Sequence, residues 1–153
     1  MRILVVGSGG VGDAVARIAA RRTYFERLVV ADVDLGRAQR TVEAASAHDV
    51  VGGRIVAAVV DASSASAVEA LVREHGATHV LNAVDPRFVL PIFEGVRASG
   101  AHYLDMAMSL SHAHPERPYE LPGVKLGDDQ FATHDQWVQA GRLALVGLSL
   151  IHI

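Results

Sequence analysis

The sequence predicts an α/β fold, one doubly wound parallel sheet with helices on both faces, and three observations carry that expectation. Short apolar runs alternate with stretches whose apolar residues recur at helical spacing. The first run, Ile3-Leu-Val-Val6, passes directly into the glycine-rich segment Gly7-Ser-Gly9-Gly10-Val-Gly12. Half of the 153 residues are hydrophobic, much of that content being Ala and Val, while aromatics make up 5%, as in a sheet covered closely by helices. This length buries the core of one domain but not of two.

The first helix follows Gly12 at once, with Val11, Ala14, Val15, Ile18 and Ala19 at helical spacing. Leu28 to Asp32 reads as the second strand. A second helix begins near Leu35, carries Leu35, Ala38, Val42 and Ala45 inward and ends before Gly52-Gly53. Arg54 to Val60 is a near-continuous apolar run, as buried parallel strands tend to be. The third helix turns Val68, Leu71 and Val72 inward and stops at Gly76. Thr78 to Val84 forms strand four. Pro91 argues against one uninterrupted helix after it, so a turn over 85–89 precedes a helix from about Leu90 to Ser99, with Ile92, Phe93 and Val96 inward and Gly100 as its stop. Strand five is His102 to Ala107. The Pro-, His- and Ser-rich stretch from Met108 to Asp129 is long for a connection in a compact domain and reads as a binding loop or a domain crossover. Asp128 or Asp129 then caps a helix carrying Phe131, Trp137 and Val138, and Leu143 to Val146 is strand six.

The glycine segment has the chemistry of a dinucleotide loop. Gly7 permits the tight turn, Gly9 lets the backbone approach a pyrophosphate, Gly12 lets the helix pack on the strand, and the phosphates rest on N–H groups at a helix N-terminus. The second half of that fingerprint is an acid at the end of the next strand, and Asp32 lies about 20 residues beyond Gly12. A carboxylate there accepts hydrogen bonds from the adenosine ribose hydroxyls and repels the 2′-phosphate of NADP, so NAD is the expected cofactor. Arg37 keeps NADP open, because it can fold back and receive a phosphate. Loop and acid together give the Rossmann arrangement, about six strands in the order 3-2-1-4-5-6, with ligands at their C-terminal ends. Asp61, at the end of strand three, either approaches the adenine or belongs to a helix N-cap region. Asn82 interrupts an apolar run, so its amide needs partners, and it lies where the nicotinamide-side ribose passes. Asp105, near the end of strand five, points toward the same crevice, where a carboxylate can orient substrate or a catalytic water.

Other chemistries are poorly supported. The formal charge of −3 and the dispersed arginines exclude a nucleic-acid stripe. The absence of Cys removes disulfides, thiolate nucleophiles and Cys-based zinc sites, and fits a cytoplasmic location. No run approaches the length of a membrane span, and the glycines followed by Asp13 rule out a signal peptide. His112 and His114 lack partners of zinc-site spacing, so no metal is expected. No Tyr-x-x-x-Lys pair and no Gly-x-Ser-x-Gly elbow occurs. No catalytic residue can be named.

The glycine loop, Asp32, the Asn82-Ala83 strand end, Gly100-Ala-His-Tyr103-Leu-Asp105 and Pro122-Gly-Val-Lys-Leu-Gly127 together resemble the NAD(P)-binding domain of the saccharopine dehydrogenase family over residues 1 to about 147. The block Gly100-Ala-His-Tyr-Leu-Asp-Met-Ala107 narrows the resemblance beyond Rossmann proteins in general. It implies an oxidoreductase that passes hydride between a nicotinamide and the C–N bond of an amino-acid conjugate. Carried over by position, Gly7, Ser8, Gly9, Gly10, Val11 and Gly12 hold the pyrophosphate, Asp32 the adenosine ribose, Asn82 and Ala83 the nicotinamide side, and Tyr103 and Asp105 face substrate. It also implies a second domain that binds the amino-acid-derived substrate and makes a homodimer. That domain is expected to be missing here, and residues 148–153, Leu-Ser-Leu-Ile-His-Ile, read as a non-native or truncated tail. The rival reading is a non-catalytic regulatory domain of the same fold that senses NAD or another adenine nucleotide, as potassium-uptake regulatory domains do. Length suits it, whereas the stretch from His102 to Gly127 opposes it.

Overall fold

A computed structural model describes residues 1–147, and the tail expected to be foreign lies outside them. The elements run β1 (Arg2–Val6), α1 (Gly10–Ala20), β2 (Arg27–Asp32), α2 (Leu35–Ser46), β3 (Ile55–Val59), α3 (Ala65–His75), β4 (His79–Asn82), a 3-10 turn (Pro86–Phe88), α4 (Val89–Ser99), β5 (His102–Asp105), α5 (Asp128–Phe131), α6 (His134–Gln139) and β6 (Ala144–Leu145). All strand pairings are parallel and the order is β3-β2-β1-β4-β5-β6, as expected.

Apolar β-branched residues fill β1 and β2 because both faces of these central strands are covered. Leu4, Val5, Leu28, Val29 and Val30 are fully buried or nearly so. Residues alternate between two cores. One packs Leu4, Val6, Val80 and Tyr103 against α3, α4 and Trp137 of α6, and the other packs Val5, Val30 and Leu81 against α1 and α2.

The periodicity located the helices better than their buried faces. In α1 the buried residues are Gly12, Ala16, Ala19 and Ala20, whereas Ile18 is 61% exposed and Val11 is exposed as well. The helix approaches the sheet so closely at Gly12 that a methyl there would overlap the Gly7 carbonyl, and only the small-residue face fits such an approach. In α2, Ala38, Thr41 and Ala45 are buried while Leu35 is exposed, because it opens the helix at the rim of the sheet. Pro91 is tolerated in the first turn of α4, where its missing N–H has no acceptor to lose. The single late helix is instead two short ones. Gly127, at φ 84°, is the N-cap of α5, Asp128 accepts the Lys125 N–H rather than capping, and of the three residues expected inward Trp137 alone is buried.

One ion pair of the core has no sequence signature. Arg54, at the entrance to β3, stacks on Phe25 at 4.0 Å and donates to the Phe25 and Arg22 carbonyls and, at 2.5 Å, to Asp49. Burial pushes Asp49 upward, but hydrogen bonds from the Arg54 side chain and backbone and from nearby amides outweigh it and hold the carboxyl at about 2. A carboxyl with a depressed folded pKa stabilises fully above the ordinary carboxylate range and loses that contribution as pH falls toward its folded value. Asp49→Ala should therefore cost about 3 kcal/mol in urea unfolding at neutral pH, since Arg54 is left buried and unpaired. The gap from wild type should narrow below about pH 3. A gap that persists unchanged into acid would remove the pair as its cause.

Candidate functional site

A crevice of about 350 Å³ opens where β1, β2, β3 and β4 end, between the glycine loop and the segment after β4. Its walls come from Gly7 and Gly9, from Asp32, Val33 and Arg37, from Val60, Asp61 and Ala62, and from Ala83, Val84, Asp85 and Phe88. This is the switch point at which strand order reverses, where crossovers leaving in opposite directions part the loops.

The turn out of β1 needs its glycines for two separate reasons. Gly7 has φ +100°, and a side chain there would come within 2.6 Å of Val84 Cγ1 and 2.8 Å of the Ala83 carbonyl. Gly12 is the point of contact between α1 and the strand. Gly9 differs from both. Its backbone is extended, and a methyl there would meet nothing nearer than Arg37 Nη2 at 3.9 Å, so the space above it is open. Gly9 is also the N-cap of α1, and no side chain caps the helix, leaving the first-turn N–H donors facing the loop. An anion fits that arrangement by charge and by hydrogen-bond direction.

Asp32 is 7% exposed and anchors the loop from the neighbouring strand. Its Oδ2 accepts the Ser8 N–H at 2.9 Å and the Ser8 hydroxyl at 2.8 Å, and its Oδ1 accepts the Asp34 N–H at 3.1 Å. Burial raises its pKa, yet the donors from Ser8 and Asp34, with the Arg37 charge, hold it below the ordinary value, so it is a carboxylate at neutral pH. Arg37 Nη1 stands 3.9 Å from Asp32 Oδ1 on a half-exposed side chain, so this pairing is loose and the guanidinium is free to turn to a ligand.

The structure thus gathers Gly7, Gly9, Asp32, Arg37, Asp61 and Ala83 around one cavity. Gly10 and Val11 form the outer first turn of α1, and Ser8 and Gly12 lie beneath the loop as its supports. Asp61 stands exposed at the rim with Oδ1 accepting from Ser63, while the cap of α3 is Ser64. Asn82, 1% exposed, does not line the cavity, nor do Tyr103 and Asp105, which are 2% and 0% exposed. The hydroxyl of Tyr103 and the carboxylate of Asp105 are bonded to protein groups at 2.9 Å, so a substrate-facing role has no geometric support. No residue between Met108 and Asp129 lines the crevice. His112 there pairs with Val124 through the backbone, and His114 Nδ1 accepts the Glu116 and Arg117 amides, so both histidines shape the loop. Sequence reasoning did not name Val33, Val84, Asp85 or Phe88 as crevice residues. Val33, Val84 and Asp85 lie at or beside strand ends that it did name and Phe88 in the turn that follows strand four, and that adjacency was the available signal.

Comparison with known proteins follows the same outline. The family model described as the saccharopine dehydrogenase NADP binding domain matches residues 3–145. Carboxyaminopropylagmatine dehydrogenase of Synechocystis sp. is 28% identical over 148 residues, which is 95% of this chain and 33% of that protein. Phosphoribosylamine–glycine ligase of Mycobacterium tuberculosis is 35% identical over 100 residues, 65% of this chain and 20% of the ligase. The chain therefore spans a third or less of these curated relatives. Among solved structures, apo saccharopine dehydrogenase (L-Glu forming) from Saccharomyces cerevisiae superposes with a TM-score of 0.67 at 16% identity, covering 96% of this chain and 27% of that one. Glucose dehydrogenase of Caenorhabditis elegans gives 0.61 at 17%, covering 92% and 70%, a likeness of fold.

The two glycines at the loop predict unequal effects on stability. Gly12→Ala should lower the unfolding free energy by about 2–3 kcal/mol, because the added methyl meets backbone. Gly9→Ala should stay within about 0.5 kcal/mol of wild type, because it meets open space in an ordinary conformation. Equal losses in chemical denaturation would refute the close contact at Gly12.

Proposed function

The chain belongs to the saccharopine dehydrogenase family through its NADP-binding domain, and from that membership we propose that it supplies the cofactor half of an oxidoreductase acting on the C–N bond of an amino-acid conjugate. It is an NAD(P)-binding Rossmann domain of a family of dehydrogenases. The observation that carries the rest is the crevice itself: an uncapped helix N-terminus, an open backbone at Gly9 and an ionised Asp32 meet at one switch point.

The residues present fit a dinucleotide. First-turn N–H groups of α1 bind the pyrophosphate, and Gly9 allows its approach. Asp32 Oδ1 retains acceptor capacity beyond the Asp34 amide and takes the adenosine ribose hydroxyls, with Ser8 fixing the carboxylate's direction. Asp61 and Ala83 both line the cavity, and we assign Asp61 to the adenine side and Ala83, on the wall beyond the glycine loop, to the nicotinamide side. A nicotinamide bound in this site would supply hydride transfer to or from the C–N carbon. Within this chain, residues position that ring and exclude water from one side of it. We assign residues 1–147 to the cofactor domain, and substrate contacts, catalytic acid and dimer interface to a further part of the protein; the reading is supported by relatives of whose length this chain covers 33% and 27%.

NAD is the favoured cofactor, since an ionised Asp32 repels a 2′-phosphate. Arg37 supports the second reading, NADP, because it hangs loosely at the same mouth.

Calorimetric titration with NADH and NADPH tests these assignments. NADH should bind about tenfold more tightly, a preference that Asp32→Ala abolishes. Arg37→Ala should weaken NADPH and spare NADH. Gly9→Ala should weaken both by at least about tenfold without lowering Tm. Unchanged affinity in Gly9→Ala would place the pyrophosphate elsewhere.

A further inference from the structure

We propose that Tyr103 and Asp105 are positioning residues for the dinucleotide crevice, holding the Ala83–Val84 wall against the glycine loop through a buried hydrogen-bond chain that continues to Gly147 at the exit of β6. The inference rests on the cofactor reading above.

The chain can be followed atom by atom. The Val84 N–H donates to Asn82 Oδ1 at 3.1 Å, and Asn82 Nδ2 donates to the Tyr103 hydroxyl at 3.1 Å. That hydroxyl donates to Asp105 Oδ2 at 2.9 Å, which also receives Gln130 Nε2 at 2.8 Å. The Gly147 N–H donates to Asp105 Oδ1 at 2.6 Å, and Gln130 Oε1 accepts the Ser109 N–H at 2.8 Å. Direction is fixed at every link. A backbone donor claims Asn82 Oδ1, so its amide nitrogen faces Tyr103, whose proton then has Asp105 as its acceptor. Burial, with the adjacent Asp105, keeps the phenol protonated and therefore a donor.

These side chains share one place for a structural reason. Asn82 pairs with Asp105 across β4 and β5, and Val80 with Tyr103, so all three polar groups project from one face at the C-terminal ends of the strands. Tyr103 is further wedged edge-on against Phe93 at 4.9 Å.

The link to the crevice is the turn after β4. The Ala83 N–H still bonds the Val6 carbonyl, but the Val84 N–H has passed beyond the sheet and is held by the Asn82 side chain. Val84 and Ala83 are also the groups that a side chain added at Gly7 would meet first. A small displacement of this turn changes the room above the glycine loop, so the chain sets the width of the cofactor site. It also ties that width to the position of the backbone leaving β6.

The test uses Tyr103→Phe, which removes the hydroxyl and keeps the ring. Trp137→Phe thins the same aromatic cluster without touching the chain and controls for lost stability. We expect Tyr103→Phe to shift the Val84 amide and Asn82 side-chain resonances in ¹⁵N–¹H spectra and to raise the Kd for the preferred nicotinamide dinucleotide about fivefold to tenfold. Trp137→Phe should lower Tm and do neither. The charge-swapped D105N/Q130E restores acceptors for the Gly147 and Ser109 amides but reverses the polarity at Tyr103. It should therefore recover the Tm lost in Asp105→Asn while keeping the weakened binding. If Tyr103→Phe lowers Tm yet leaves the Val84 resonance and Kd unchanged, the chain is structural and the proposal fails. Should wild type bind neither NADH nor NADPH, the cofactor reading falls, and the Val84 resonance in Tyr103→Phe still decides whether the wall is held in this way.

Discussion

The handedness of crossovers between parallel strands governs this fold. A right-twisted strand followed by a helix returns to its sheet on one side in nearly every case. From β1 the chain steps to β2 and β3 in one direction, so α1 and α2 share a face. From β3 it crosses back to β4 and continues to β5 and β6, so α3, α4 and the α5–α6 pair share the other. The reversal between β1 and β4 parts two neighbouring connections and opens the crevice there. The same constraint leaves the α1 side of β4 to β6 thinly covered, and Leu145 and Leu143 are about half exposed there.

Within that frame the glycine loop depends on contacts that allow no side chain. Gly12 brings α1 against the Gly7 carbonyl, and Gly7 in turn lies against Ala83 and Val84. The helix N-terminus, the loop and the far wall of the crevice therefore form one packed unit. Ser8 joins it to β2 by donating both its N–H and its hydroxyl to Asp32. The carboxylate proposed to bind the ribose is thus oriented before any ligand arrives, and less ordering remains to oppose binding.

Strand order, element sequence and the glycine–acid spacing were legible in the sequence because each follows from a local pattern: apolar runs, turn glycines and a fixed separation. Face and partner were less so. In α1 the 3.6-residue period fits both the Val11-Val15-Ile18 stripe and the Gly12-Ala16-Ala19 stripe. Hydrophobicity favours the first, whereas the close approach at Gly12 selects the second. Asp105 read as a substrate contact because strand ends face ligands, and Tyr103 because the family resemblance implied it. The side chains of these two residues lie on the opposite core face, among Asn82, Gln130 and Trp137, which arrive from three other elements. Arg54 read as the start of strand three and Asp49 as the end of the second helix, and neither was marked as a partner, since nothing local marks the Phe25 ring and carbonyls that receive the guanidinium.

Three buried or half-buried carboxylates meet the cost of desolvation in different ways, and the differences follow their roles. Asp49 is held by a guanidinium, the strongest available partner, and its pKa falls furthest. Asp32 relies on neutral donors from the loop that it supports, with a loose cation nearby, so it stays ionised yet accessible to a polar ligand. Asp105 has neutral donors only, and burial wins: its pKa is raised despite Gln130, Gly147 and Tyr103. The sign of its linkage is therefore opposite. Asp32 and Asp49 add stability that is present above the ordinary carboxylate range and lost as pH falls through their folded values. Asp105 favours the protonated side, and its contribution declines as pH rises from the ordinary value through its raised one. A carboxylate retained in such a setting does not serve stability as well as an apolar residue of similar size would. Its justification is directional: two oxygens that take three donors from β5, α5 and the exit of β6 join those elements in one geometry that no apolar side chain could specify.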